Sequence, residues 1–308
     1  MRKWVLKAVI QKVLGIMPGG FKVNYLFQKY VSKAVILSDA FFDTMLDHFL
    51  ELQEHCQAQG FKNENSRVFE IGTGWHAIVP MAFALSGTKE VVTVDLNGHL
   101  RPENLAQLLQ KFYDYQQAGK LKKWLPQLDD SRWKVLESHR PKAKHQSIAA
   151  TLKAFGIQQH ITDAAKTSFE NGYFDLCYSV NVYEHINEQA LAGITREISR
   201  ITRPKGYGYH AIGVYDHFVH VDAGISKFNY LRFSKRAWQL IDNTIQPQNR
   251  LRLSYFRNLF KSHGLEPKEE IFHDPEPGEI ERLKLHKDWE GIEDLDIPYG
   301  TFILQKKE

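Results

Sequence analysis

A glycine bend at the end of a short apolar run constrains this chain more than any other feature. Residues 68 to 75 read Val-Phe-Glu-Ile-Gly-Thr-Gly-Trp, so a strand-like segment runs directly into Gly72 and Gly74. Glycine tolerates positive φ and has no Cβ, which allows a tight turn from a strand into a helix and leaves room for a ligand. A second β-rich run ends at Asp95, twenty-one residues after Gly74. This spacing predicts a β-loop-α-β unit that binds an adenosine-containing cofactor, with Asp95 accepting hydrogen bonds from the ribose hydroxyls.

Two kinds of cofactor fit this bend. The run from Gly72 to Ala77 also satisfies the Gly-x-Gly-x-x-Ala fingerprint of dinucleotide sites. Such sites place a pyrophosphate at the helix N-terminus, where the carboxylate of Glu70 in the preceding strand would repel it. A carboxylate suits the cationic amine and sulfonium of S-adenosylmethionine. The sequence therefore favours S-adenosylmethionine, and a nicotinamide-dependent oxidoreductase is the alternative.

Residues 66 to 212 resemble the class I S-adenosylmethionine-dependent methyltransferases, in particular the small-molecule, type 11-like members. Four segments besides Asp95 carry the resemblance: Glu70-Ile-Gly72-Thr-Gly74, Ile161-Thr-Asp163-Ala164, the fourth-strand motif Phe174 to His185, and Glu197 to Gly206 with its Pro-x-Gly turn. His76 departs from the family, because many members have a third glycine there. The resemblance implies nine cofactor-binding residues: Glu70, Gly72, Thr73, Gly74, Asp95, Leu96, Asp163, Ala164 and Asn181.

The alternation of strand and helix patterns predicts an α/β fold with a doubly wound, seven-stranded, mostly parallel sheet, the Rossmann-like methyltransferase fold. We expect an N-terminal helical extension or cap at 1–60 and one methyltransferase domain at 61–308. Helical insertions are predicted near 119–150 and 214–264. The predicted strands are 66–71, 90–95, 157–161, 173–180, 207–213, 268–272 and 301–304, and the main helices are 24–33, 39–59, 76–86, 103–118 and 188–202. Asn249 is expected to cap a further helix from Arg250 to His263, ended by Gly264.

Composition limits the classes of partner and compartment. The chain has 308 residues, a formal net charge of +4 and two cysteines. So small a charge does not indicate a nucleic-acid binder, which would concentrate Lys and Arg on one face. Two cysteines are too few for a disulfide framework, so we expect a reducing, cytoplasmic setting.

The first seventeen residues have helical apolar spacing interrupted by lysines and cannot span a bilayer. The segment is compatible with an interfacial helix on the inner face of an anionic membrane. The alternative is a helix docked on its own domain, or a lid over the active site.

Methyl transfer from a sulfonium is an in-line displacement, so correct positioning of the acceptor carries most of the acceleration. A hydroxyl acceptor also needs a base, and histidine titrates near neutrality. Four histidines fall where the cleft is expected: His76, His185, His217 and His220. His217 is the first candidate because Asp216 and Asp222 flank it, and His185 is the second, although His185 is also placed to begin the following helix.

The segment after the fourth strand also resembles a metal-binding motif. Some methyltransferases of this class bind a divalent ion through Glu-x-x-Glu-His after the fourth strand, and this chain has Asn181-x-x-Glu184-His185. Because a neutral amide replaces the first carboxylate, the sequence predicts no required metal. Asn181 is instead expected to line the cofactor or acceptor side of the cleft.

The acceptor is less well defined than the cofactor. The Asp-His-Phe loop and the segments Phe-Asn-Tyr-Leu-Arg-Phe-Ser and Asn-Arg-Leu-Arg resemble small-molecule methyltransferases encoded among enzymes of surface-polysaccharide biosynthesis. A small-molecule or glycan hydroxyl, free or lipid-linked, is the leading prediction, with a quinone-like metabolite second. A non-catalytic adaptor that binds S-adenosylmethionine is the other alternative. The acceptor atom and oligomeric state are left open by the sequence.

Overall fold

The computed structural model describes residues 2–20, Val23, Tyr25 and 36–308. Within them one sheet has seven strands in the order β3-β2-β1-β4-β5-β7-β6. The strands are β1 Arg67–Ile71, β2 Glu90–Asp95, β3 Ile157–Ile161, β4 Phe174–Val180, β5 Thr202–Gly213, β6 Leu265–His273 and β7 Tyr299–Lys306. The first five run parallel, whereas β7 pairs antiparallel with both β5 and β6. The predicted seven-stranded α/β fold is confirmed.

Helices cover both faces of the sheet. Their bounds are α1 Lys3–Ile16, α2 Asp39–Ala58, α3 Ile78–Leu85, α4 Pro102–Gln117, α5 Asp130–His139, α6 Ile148–Ala154, α7 Glu188–Ile201, α8 Lys235–Ile241, α9 Leu253–Ser262 and α10 Pro277–Glu281. Short 3-10 turns lie at Leu121–Lys123, Ala143–His145, Tyr183–His185, His217–His220, Asn229–Arg232 and Lys287–Trp289. The helix predicted over 24–33 lies outside the described residues except for Tyr25.

Two apolar cores explain why the strands are hydrophobic on both sides. One face of the sheet packs against α2, α3 and α4 through a cluster that includes Phe49, Phe83 and Tyr178. The other packs against α7 and α9 through Phe69 and Phe256 among others. Parallel strands covered in this way read as nearly continuous apolar runs, which is the pattern that the sequence shows. Open sheets of this kind bind their ligands beyond the carboxyl ends of the strands.

The start of α9 differs from the prediction. Asn249 was expected to cap a helix beginning at Arg250, but α9 begins at Leu253 with Arg252 in the N-cap position. Arg250 has a φ of +59°, which no helical residue adopts. The side-chain amide of Asn249 instead donates hydrogen bonds to the carbonyls of Tyr183 and Ile186, at 2.7 and 2.8 Å. This prediction was wrong because the residue ties two loops together.

Helix α1 docks on the segment that follows β5. Trp4 packs against the rings of Phe218 and Phe233, at centroid distances of 5.7 and 5.9 Å. The Lys12 ammonium donates to the carbonyls of Gln239 and Asp242, at 2.8 and 2.6 Å. The opposite side of α1 carries exposed apolar side chains. In the described part of the chain, no helix combines the length and the apolar character needed to cross a membrane.

Candidate cofactor and acceptor site

The two glycines of the bend adopt left-handed backbone conformations for different structural reasons. Gly72 has a φ of +87° and Gly74 a φ of +61°. A Cβ on Gly72 would lie 2.4 Å from Cγ2 of Val182, which is in the loop after β4. A Cβ on Gly74 would meet no atom within 4 Å. Gly72 is therefore required by packing between two loops, whereas Gly74 borders open space above the bend.

Glu70 lies beneath the bend and is almost fully buried. One carboxylate oxygen accepts a hydrogen bond from the hydroxyl of Thr93 at 2.5 Å, and the other accepts one from the hydroxyl of Tyr178 at 2.9 Å. The Thr93 hydroxyl also lies 2.6 Å from that of Thr73. Burial raises the pKa of Glu70 to about 8. The side chain thus supports Thr73 in the bend from below, and its predicted direct contact with a cationic amine stays a prediction.

Asp95 connects the end of β2 to the bend. Its carboxylate accepts hydrogen bonds from the backbone N–H of Gly74 and of Asn97, both at 2.9 Å. Each carboxylate oxygen has two lone pairs, so two bonds leave acceptor capacity for further donors. The residue is partly exposed at the carboxyl edge of the sheet. The Asp95 carboxylate can therefore hold the bend and, at the same time, accept hydrogen bonds from ribose hydroxyl groups.

Apolar side chains stand at the ends of β2 and β3. Asp95 pairs with Ile161 across the two strands, so Leu96 and Ile161 lie at neighbouring strand ends. Both are exposed, at 70% and 53%. Asp163 follows, with one carboxylate oxygen accepting from the N–H of Ala165 at 2.9 Å, and Ala164 is buried behind it. The arrangement offers apolar surface and one exposed acid to a flat heterocycle.

The end of β4 brings Asn181 to the same edge. Asn181 is exposed and has a φ of +55°. Its side-chain oxygen accepts a hydrogen bond from the hydroxyl of Tyr299 at 2.8 Å, and that hydroxyl lies 3.3 Å from Nε2 of His48. The sequence analysis did not identify Tyr299 or His48, because they come from β7 and α2. Only the order of strands in the sheet places them beside Asn181.

A carboxylate and two imidazoles meet between the loops that follow β4 and β5. One ligand-type atom from each of Glu184, His185 and His217 lies within 4.8 Å of the other two. The rings of His185 and His217 are 4.9 Å apart. Burial raises the pKa of Glu184 to about 8 and lowers the pKa of His217 to about 3, and burial also lowers the pKa of His185. Both imidazoles are therefore neutral near pH 7 and carry a lone pair.

The segment after α8 holds this cluster in place. The carbonyl of Pro247 lies 2.6 Å from Nδ1 of His185. The side chain of Gln248 accepts from the N–H of His217 at 3.3 Å and donates to the carbonyl of Tyr215. With Asn249 bonded to the loop after β4, three consecutive residues fix the loops that carry His185 and His217 relative to each other. No pattern in the sequence marked them for this role.

The acids expected to orient His217 have other partners. Asp216 is fully buried, and its carboxylate accepts from the N–H of Phe218 at 2.9 Å and from the side chain of Asn229 at 3.0 Å. Asp222 accepts from the N–H of Trp4 and of Gly224. In the described residues the carboxylate beside His217 is that of Glu184. The prediction from sequence neighbours was wrong because the 3-10 turn at 217–220 points Asp216 inward.

The remaining candidates lie around the cluster. His220 faces Tyr215, whose hydroxyl is 3.2 Å from Nε2 of His220, and its ring is 6.0 Å from that of His217. His76 is buried near the bend, with its ring 6.3 Å from that of Phe41. The structure therefore brings His185 and His217 together and leaves His76 with the cofactor loop.

Part of the chain that forms this site matches a known protein family. Residues 119–209 match the family model described as "Methyltransferase domain". The match covers β3, β4, α7 and most of β5, and it begins after the bend and Asp95.

The chain carries a methyltransferase domain.

The resemblance to the class I S-adenosylmethionine-dependent enzymes is confirmed, and S-adenosylmethionine is the cofactor of this methyltransferase.

Three solved structures illustrate the similarity in fold. The 1,6-didemethyltoxoflavin-N1-methyltransferase of Burkholderia thailandensis, with bound 1,6-didemethyltoxoflavin and S-adenosylhomocysteine, is 11% identical, covers 95% of this chain and 92% of its own, and has a TM-score of 0.47. Phosphoethanolamine N-methyltransferase 2 of Haemonchus contortus, with S-adenosylmethionine, is 16% identical, with coverages of 85% and 52% and a TM-score of 0.47. An S-adenosylmethionine-dependent methyltransferase of Methanosarcina mazei is 13% identical, with coverages of 82% and 97% and a TM-score of 0.47. No curated protein matches the chain.

The residues of the bend fit the cofactor of this methyltransferase. The space beside Gly74 is open, and the Asp95 carboxylate has lone pairs left to accept hydrogen bonds from hydroxyl groups such as those of ribose. Leu96 and Ile161 offer apolar surface at adjacent strand ends. The positions agree with a ligand bound outside the carboxyl ends of the strands.

Proposed function

We propose that this methyltransferase transfers a methyl group to a hydroxyl of a small molecule or glycan, in surface-polysaccharide or lipid metabolism. The observation that carries the proposal is the pair of neutral imidazoles, His185 and His217, beside the carboxyl ends of β4 and β5. A hydroxyl must lose its proton as the new bond forms, and a neutral imidazole is the side chain suited to assist that loss. A nucleic-acid acceptor is not expected.

The cofactor is proposed to lie across the bend. Gly72, Thr73 and Gly74 form the cradle, and Glu70 supports it through Thr93. In this proposal Asp95 binds the ribose, and four side chains beyond it line the remaining surface: Leu96, Asp163, Ala164 and Asn181. The cofactor supplies an electrophilic methyl group on a sulfonium, so the chain's own task is to orient two ligands and to exclude water.

Contact between Gly72 and Val182 links the two halves of the site. Val182 follows Asn181 and precedes the turn that carries Glu184 and His185, and a Cβ on Gly72 would overlap it. Movement of the cofactor loop would therefore displace the acceptor loop. We infer that this contact sets the distance between the reacting groups, on which acceleration by positioning depends.

The test is methyl transfer from labelled S-adenosylmethionine to a panel of hydroxylated metabolites, sugars and lipid-linked glycans. We expect label on oxygen, and His217→Asn to lower kcat by about 10²- to 10⁴-fold with little change in affinity for S-adenosylhomocysteine. His145→Asn is the matched control, because His145 is exposed on the 3-10 turn after α5. Label on nitrogen, carbon or sulfur, or an unchanged kcat in His217→Asn, would refute the hydroxyl proposal.

The adaptor alternative has a separate outcome. Tight binding of S-adenosylhomocysteine without transfer to any acceptor in a whole-cell metabolite extract would favour it over catalysis. Binding of a nicotinamide cofactor in place of S-adenosylhomocysteine would contradict the cofactor assignment itself.

We further propose that α1 contacts an anionic membrane surface from the cytoplasmic side. Leu6, Val9, Ile10, Val13 and Ile16 repeat at helical spacing and are each 45% to 79% exposed, on the side of α1 away from the domain. Arg2 and Lys3 are exposed at the start of the helix. Apolar area with adjacent cations is the pattern of an interfacial helix. Docking of α1 on the domain is compatible with this, since the two contacts use different faces.

A further inference from the structure

The cluster of Glu184, His185 and His217 contains a buried carboxylate oxygen without a protein partner. Glu184 is 2% exposed. Its Oε1 accepts only a long hydrogen bond, 3.2 Å, from the N–H of Gly213, and Oε2 has no hydrogen-bond partner among the described residues. A buried carboxylate left in this state is costly unless a cation or a further donor satisfies it. The Glu184 carboxyl group that carries this oxygen lies beside His185 and His217.

The neighbouring imidazole presents a lone pair to the same point. A carbonyl only accepts hydrogen bonds, so the Nδ1 of His185 must donate to the carbonyl of Pro247. In the neutral ring Nε2 then carries the lone pair. An imidazole whose other nitrogen is fixed by a backbone carbonyl is the arrangement found around metal ions in proteins.

His217 completes the set from a different loop. Its ring lies 4.9 Å from that of His185 at an angle of 60°, so the two rings are not stacked. The backbone N–H of His217 is held by Gln248, which sets its position relative to His185 through the shared segment 247–249. The three ligand atoms lie within 4.8 Å of one another, close enough for one ion to contact all three after small rotamer changes.

We propose that Glu184, His185 and His217 bind one divalent transition-metal ion. Two imidazoles and one carboxylate favour Zn²⁺, Fe²⁺, Mn²⁺ or Co²⁺ over Mg²⁺ or Ca²⁺, which prefer ligand sets made of oxygen. The sequence analysis predicted no required metal because Asn181 replaces a carboxylate in the local motif. The structure supplies a third ligand, His217, from 32 residues further along the chain than His185.

Three protein ligands leave coordination positions open for an acceptor. A hydroxyl of the acceptor, coordinated there, would be fixed in place and would lose its proton to solvent water more readily. Its oxygen would then form the bond to the methyl carbon as the bond from that carbon to the sulfonium breaks and the thioether leaves. This part of the inference rests on the proposed transfer to a hydroxyl. It changes the role of His217 from a direct base to a ligand that acts on the hydroxyl through the ion.

The test is titration of the metal-free, untagged full-length protein with Co²⁺, followed by visible absorption and by calorimetry. We expect one equivalent to bind and to produce d–d bands typical of mixed imidazole and carboxylate ligation. Cys56 and Cys177 are buried and should contribute no thiolate band. Glu184→Gln and His217→Asn should each weaken binding by more than about 100-fold, because even loss of a side chain that only orients a metal ligand costs about 10- to 100-fold. His145→Asn should bind as the wild type does.

Absence of Co²⁺ binding to the wild-type protein would overturn the metal proposal, and so would wild-type affinity for Co²⁺ in Glu184→Gln or His217→Asn. Calorimetry with S-adenosylhomocysteine on the same samples reports the cofactor site. Intact cofactor binding with no Co²⁺ binding would refute this inference and leave the methyltransferase proposal standing.

Discussion

Substitution of Gly72 by alanine should mainly lower stability, whereas substitution of Gly74 by alanine should mainly weaken cofactor binding, although the two glycines are only two positions apart. At Gly72 the new methyl group would overlap Val182 at 2.4 Å, and the backbone has a φ of +87°. Left-handed conformation costs a non-glycine residue about 1 to 2 kcal/mol, and an overpacked contact costs about 1 to 3 kcal/mol more. Gly72→Ala should therefore lower the free energy of unfolding by about 2 to 5 kcal/mol.

At Gly74 only the backbone cost applies, about 1 to 2 kcal/mol, because no atom lies within 4 Å of the new methyl group. That methyl group instead points into the space proposed for the cofactor. We expect Gly74→Ala to be more stable than Gly72→Ala. We also expect Gly74→Ala to bind S-adenosylhomocysteine more weakly than the wild type, although it loses little stability.

Urea denaturation with calorimetric titration of S-adenosylhomocysteine measures both effects. The variant Gly72→Ala/Val182→Ala provides the control: removal of the valine should recover part of the stability lost in Gly72→Ala, giving a coupling energy of about 0.5 to 3 kcal/mol. Equal stability of the two single variants, or wild-type affinity in Gly74→Ala, would refute the division of roles between the glycines.

Three further variants test other parts of the site. Burial raises the pKa of Glu70 to about 8 in the folded protein, so the protonated carboxyl group contributes stability that is fully present below about pH 4.5 and is lost as the pH rises to about 8. The melting temperature should therefore fall over that pH range, and Glu70→Gln should flatten the fall. An unchanged slope in Glu70→Gln would contradict the raised pKa. Asp95→Asn should weaken S-adenosylhomocysteine binding by about 10- to 100-fold through lost charge-assisted bonds, and unchanged calorimetry would exclude Asp95 from the cofactor site. Val9→Glu with Val13→Glu should reduce sedimentation with anionic liposomes while kcat on a soluble acceptor is retained, and equal sedimentation would dismiss the membrane proposal.

The sequence predicts the scaffold well because the scaffold follows from local patterns. Predicted strand β2 agrees with the structure over Glu90–Asp95, and β3 agrees over Ile157–Ile161. Each is an apolar run bounded by a turn, which is a property of neighbouring residues. The bend at Gly72 and Gly74 is local in the same sense, and both glycines have the positive φ that their spacing implied.

The acceptor side could not be predicted in the same way, because its residues converge only through the fold. Glu184 and His217 come from different loops, and the order β1-β4-β5 is what makes those loops adjacent. Sequence neighbours were misleading there: Asp216, next to His217, points inward to Asn229. Glu70 illustrates a further limit, since the pattern indicated an acid at the bend but not its burial between Thr93 and Tyr178.

A crystal structure with S-adenosylhomocysteine tests the central claim most directly. We predict the ribose on Asp95, the adenine near Leu96 and Ile161, and the sulfur directed toward the loops that carry Glu184 and His217. A ligand bound elsewhere, or in this cleft with its sulfur turned away from those loops, would contradict the account.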